Sequence, residues 1–183
     1  MRLDGIPNDT TQALNSIACI VLGPVIQNVL YPSIRKHGIA FEPIARITTA
    51  FLVMSVAMGC AAGVQKLIYS TGPCYEHPLS CSSQPNDISV WAQTPVYFLL
   101  SFSEILGFTT LSEYSYSEAP TTLRSLVQAL AQLSSGVGAA LCMAVSPLAY
   151  DPVVLYMYAG LAVLMVLSGP AFWLVFRHYD KMS

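Results

Sequence analysis

WAQTPVYFLLSFSEILGFTTLS, residues 91–112, holds a single charged residue, Glu104, in a run long enough to cross a bilayer. A helical span needs about 20 predominantly apolar residues. A carboxylate in the middle of such a span costs about 2.5–3.5 kcal/mol on insertion scales, so by default it marks a pathway or a binding site. The residues on its helical face sharpen that reading. Thr94, Tyr97, Ser101, Gly107 and Phe108 share the Glu104 face at spacings of three and four. This polar and aromatic stripe is predicted to face protein or water, because lipid would leave its groups unpaired.

Four further apolar runs flank this one. Together the five spans cover residues 12–31, 44–68, 91–112, 125–148 and 152–176, and the longest connection is the loop 69–90. The chain has 183 residues, 54% hydrophobic and 10% charged. Soluble domains average about 25% charged residues, so this composition belongs to a polytopic membrane protein. The expected fold is an all-α membrane protein with five transmembrane helices in one transmembrane region, 1–183. Membrane lipid is then its solvent. A net charge of −2 and eight scattered basic residues give no nucleic-acid footprint.

Basic residues set the orientation. Arg35, Lys36, Arg46, Arg124, Arg177 and Lys181 fall on one side of the five spans, Arg2 and Lys66 on the other. The first side, with the C-terminus, is predicted to be cytoplasmic. The N-terminus and loop 69–90 are then external. An external N-terminus has two explanations: further helices ahead of Met1, or direct insertion of a short tail.

Cys74 and Cys81 lie in the external loop, where an oxidising compartment permits a disulfide. The bridge is the expectation and two free thiols are the alternative. Cys19, Cys60 and Cys142 lie within spans and read as small packing residues. No Cys/His spacing suits zinc, and no Gly-x-Ser-x-Gly or phosphate loop is present. The chain is not expected to be an enzyme, and no catalytic residue is assigned.

On the first span, Asn15 can donate and accept, which suits an amide or carboxylate ligand as well as interhelical hydrogen bonding. The small residues of 134–140 (SSGVGAA) and of 59–63 (GCAAG) read as close-packing surfaces. Pro24 and Pro95 are expected inside helices, where each would kink the helix or free a carbonyl.

Residues 111–120, LSEYSYSEAP, resemble the L-E-F-S-Y-S-Q-A-P segment that ends the tenth helix of proton-coupled oligopeptide transporters. Ser103 and Glu104 fit the glutamate earlier in that helix. Residues 13–16 (ALNS) resemble the L-N-P of the eighth helix, and 30–32 (LYP) its cytoplasmic end. The chain is therefore similar to helices eight to twelve of a peptide transporter in the major facilitator superfamily, fungal in type.

The resemblance implies a proton-coupled symporter of di- and tripeptides in the plasma membrane. Its coupling ion is the proton, and no other cofactor is implied. It gives Glu104 the amino terminus of the peptide and places Asn15 nearby; Tyr97 and Ser101 complete the expected substrate-binding set. Ser16 stands where the family often has proline, and Ala131 where many members have a cavity tryptophan. The first-helix E-x-x-E-R segment associated with proton coupling is not in this sequence. In this superfamily the substrate lies between two halves, so transport is expected to need an N-terminal half. A non-transporting alternative is a truncated membrane protein that binds a partner transporter.

Overall fold

The computed structural model describes residues 8–37, 42–71, 88–151 and 153–179. Its described elements are all helical, and five helices are long and apolar enough to cross a membrane. Helix α1 runs through Asn8–Val25, a π-helical turn Ile26–Leu30 and a last segment Tyr31–Lys36. Helix α2 is Pro43–Ser70. Helix α3 opens with a 3-10 turn Val90–Gln93 and continues through Thr94–Glu104, a second π-helical turn Ile105–Thr109 and Thr110–Glu118. Helix α4 is Arg124–Val145, closed by the 3-10 turn Ser146–Leu148, and α5 is Val153–Phe176. Cys74 and Cys81, with the disulfide expected between them, lie outside the described residues.

The five helices long and apolar enough to cross a membrane run Ala13–Ile34, Pro43–Ser70, Val90–Glu118, Arg124–Leu148 and Val153–Phe176. The third continues past residue 112 through the charged Glu113. A helix need not stop where its sequence turns polar, because every backbone group stays paired while the end emerges from the apolar layer.

The prolines behave in two ways. Pro24 lies inside α1. It has no N–H to give the preceding turn, and its ring crowds the carbonyl four residues back. The helix widens immediately afterwards, and the Tyr31 N–H reaches five residues back to the Ile26 carbonyl. Pro95 stands where the 3-10 turn Val90–Gln93 passes into Thr94–Glu104, inside one continuous span. Its missing N–H removes one backbone bond at that change of helix type.

The two π-helical turns meet. Ile26 from the first, Ile105 and Leu106 from the second, and Ala50 of α2 form one buried apolar cluster, flanked by Cys19, Leu22 and Phe102. Gly107 lets α2 approach: a β-carbon there would lie 3.1 Å from the Ala50 β-carbon. This plug ties α1, α2 and α3 together one turn beyond Glu104.

Helix α2 also packs extensively against α5. Gly169 permits it, since a β-carbon there would stand 3.2 Å from the Phe51 β-carbon and 3.7 Å from the Thr48 carbonyl oxygen. The Ser55 hydroxyl donates to the Ala162 carbonyl across the same interface at 2.8 Å. Gly169→Val should force these backbones apart and lower stability by about 1–3 kcal/mol. Gly136→Val should be nearly neutral. Denaturant unfolding in mixed micelles compares them, and equal losses would contradict this packing.

Among the described residues, the glycines of the expected small-residue surfaces meet no neighbouring helix. A β-carbon at Gly59, Gly63, Gly136 or Gly138 would meet no other part of the described structure within 4 Å. Among the described residues helix α4 packs mainly on the end of α3, through Gln128 Nε2 donating to the Ser112 carbonyl at 3.0 Å and Arg124 stacked 4.6 Å above the Tyr116 ring. None of its most apolar stretch is buried. Sequence spacing marks these residues as small but does not say which helix, or whether any helix, lies opposite.

Arg46 over Tyr31, at 4.2 Å, and Arg177 over Trp173, at 5.2 Å, mark the same end of the bundle as Arg124. Each is worth about 0.5–1 kcal/mol at an exposed site.

Candidate functional site

Helices α1 and α3 present facing polar pairs. Asn15 and Cys19 are four apart on α1, and Ser101 and Glu104 are three apart on α3, so each pair shares one helical face. The Asn15 Nδ2 donates to Glu104 Oε2 at 3.1 Å. The Ser101 Oγ lies 2.5 Å from Asn15 Oδ1, 2.8 Å from the Tyr97 carbonyl and 3.1 Å from the Asn15 carbonyl. It has one proton to share among these acceptors. The Cys19 Sγ lies 3.8 Å from Glu104 Oε2.

Chemistry fixes the sense of this chain of bonds. An ionised carboxylate only accepts, a hydroxyl can donate, and an amide does both. Asn15 therefore turns its NH₂ to Glu104 and its oxygen to Ser101. Ser101 is fully buried while Glu104 is exposed. The arrangement anchors one carboxylate oxygen and leaves the acid facing outward.

Three of the expected substrate residues, Asn15, Ser101 and Glu104, thus come together. Tyr97 joins them only through its backbone carbonyl among the described contacts. It lines a separate cavity of about 190 Å³ with Gln65, Gln93 and Tyr158. It lies seven residues before Glu104, about 10.5 Å of axial rise, so sharing a face does not bring it into contact. The predicted stripe divides further: Gly107 packs on Ala50, and Thr94 Oγ1 is buried without a described partner. Cys19 packs against the buried Ile26–Leu106 cluster, as its place in a span predicts, and its thiol also reaches the carboxylate. Its position four residues after Asn15 was the available signal.

No cation among the described residues pairs with Glu104. No described group of three or more His, Cys, Asp or Glu could hold a metal ion. A carboxylate at mid-span therefore needs a proton or a cationic ligand to compensate its charge. An ammonium can supply both charge and hydrogen bonds.

The helices and this acid define an integral membrane protein with a polar site between its first and third spans. Residues 2–161 match the model of the POT family, and the chain belongs to that family. It is 49% identical over 188 residues to the peptide transporter imqD of Aspergillus flavus; the match covers 100% of this chain and 46% of that protein. It is 41% identical over 180 residues to the peptide transporter PTR2 of Saccharomyces cerevisiae, covering 98% of this chain and 30% of the relative. The crystal structure of the POT family transporter PepTSo superposes with a TM-score of 0.73 at 22% identity, over 94% of this chain and 34% of that one. The chain thus spans less than half the length of these relatives, and its helices have the arrangement of part of a POT transporter.

Proposed function

We propose that this chain forms helices eight to twelve of a proton-coupled symporter of di- and tripeptides. In this reading Glu104 receives the α-ammonium of the peptide, and Asn15 and Ser101 hold the carboxylate in place. The observation that carries it is the Asn15–Glu104 hydrogen bond between α1 and α3, in a chain whose relatives are named peptide transporters. A mid-span carboxylate with no cationic partner among the described residues suits an ammonium or a proton, which gives the site a means of exchanging one for the other.

Transport is assigned to a complex with an N-terminal half, in the plasma membrane with the C-terminus cytoplasmic. The open face of Glu104 and the exposed length of α4 support this, because a major facilitator site is closed by two halves. The same exposed α4 also favours the second reading, a membrane protein that binds a partner transporter without moving solute. Uptake of a labelled dipeptide separates the two. The chain is expressed in peptide-transport-deficient yeast alone and with the N-terminal portion of the Aspergillus flavus relative. Uptake is expected only for the pair, and is expected to rise as the external medium is acidified. Co-purification of the pair without uptake would favour the second reading. Uptake by the chain alone would contradict the need for a second half.

A further inference from the structure

Glu104 offers two carboxylate oxygens, and the structure treats them differently. Both α1 donors converge on Oε2: the Asn15 amide at 3.1 Å and the Cys19 thiol at 3.8 Å. Oε1 has no partner among the described residues. Asn15 and Cys19 stand one turn apart, so they approach the same oxygen from successive levels of α1. Two donors at two levels restrict rotation of the carboxylate more than either does alone. Cys19 also flanks the buried Ile26–Leu106 cluster, which fixes its backbone.

We propose that Cys19 is a positioning residue for Glu104: its thiol, with the Asn15 amide, holds Oε2 so that Oε1 is the oxygen presented to a cationic ligand. The ligand class, a primary ammonium, rests on the function proposed above; the thiol–carboxylate contact does not. Thiols are weak donors, so Cys19 contributes direction more than strength. Serine at this position would keep a donor with a shorter reach, and alanine would remove it.

Infrared spectroscopy of the chain in lipid nanodiscs tests the contact without any peptide. The S–H stretch falls in a clear spectral window and moves to lower frequency when the thiol donates. The Cys19 band is identified as the one lost in Cys19→Ser. It is expected below the Cys60 and Cys142 bands, and expected to move up in Glu104→Leu. Should that variant fail to insert, Glu104→Gln replaces it, because a neutral amide oxygen is a weaker acceptor than a carboxylate and should move the same band. A Cys19 band indifferent to both would overturn the proposal.

Binding to the complemented complex then tests positioning. Cys19→Ala should weaken dipeptides with a free amino terminus by about threefold, the scale of one modest hydrogen bond. Cys19→Ser should largely restore them, and N-acetylated dipeptides should be unchanged. Unchanged affinity for free peptides in Cys19→Ala would overturn the positioning role even with the band shift present. A wild-type complex that binds no peptide, with the band shift intact, would instead sink the ligand reading and leave the contact standing.

Discussion

Glu104→Gln should lower affinity for peptides with a free amino terminus at least tenfold. The measurement is equilibrium binding to the chain assembled with a complementing N-terminal half. Glutamine keeps the shape of the side chain and can still accept from Asn15 Nδ2, the bond of 3.1 Å in the native site. The charge is lost, and one acceptor oxygen becomes an NH₂ donor. Removing one partner of a desolvated charge pair costs on the order of 2–5 kcal/mol, which is tenfold or more in affinity. N-acetylated analogues lack the ammonium and should be much less affected. Glu113, exposed and nine residues further along α3, provides the control. Its glutamine variant should preserve the preference for a free amino terminus. Equal losses for free and blocked peptides in Glu104→Gln would mean that the acid only supports the contact between α1 and α3.

Leu106→Ala should be the most damaging of the simple packing changes. Leu106 is 1% exposed and sits where the π-helical turns of α1 and α3 meet Ala50. Truncating a fully buried leucine typically costs about 2–5 kcal/mol, from lost contacts and the cavity left behind. The loss here falls on dispersion contacts, because lipid offers no hydrophobic drive between helices. Urea unfolding in mixed micelles should show it clearly. Leu133→Ala is the comparison, since Leu133 on α4 is 63% exposed and should change stability little. Matching losses at the two positions would argue against a plug at the crossing of α1, α2 and α3.

These two residues also mark how far the sequence could be read. The five spans were legible because apolar runs of bilayer length have few alternatives. Asn15, Ser101 and Glu104 were legible for the same reason: polar groups stand out in an apolar run, and lipid does not satisfy them. The π-helical turns left no comparable mark. Residues 105–109 (ILGFT) would fit an ordinary α-helix, and only the surrounding packing selects the wider turn. Cys19 was hidden because a thiol resembles a small apolar side chain until a carboxylate lies beside it. Gly169, which lets α2 and α5 meet, sits in an apolar run with no partner pattern, whereas the conspicuous glycines at 59, 63, 136 and 138 are open. Small residues announce that a close approach is possible; the opposite helix decides whether it happens.

The proposed function turns on the Glu104 carboxylate, held by Asn15, meeting the amino terminus of a peptide. Solid-state NMR on the complemented complex in lipid tests this directly, using a dipeptide labelled with nitrogen-15 at its α-amine and carbon-13 at the Glu104 side-chain carboxyl. Strong dipolar dephasing is expected between these nuclei, corresponding to an ion pair with an N–O separation of about 2.8 Å, and it should be lost when the same peptide is N-acetylated. Bound peptide with no dephasing to the Glu104 carboxyl carbon would contradict it.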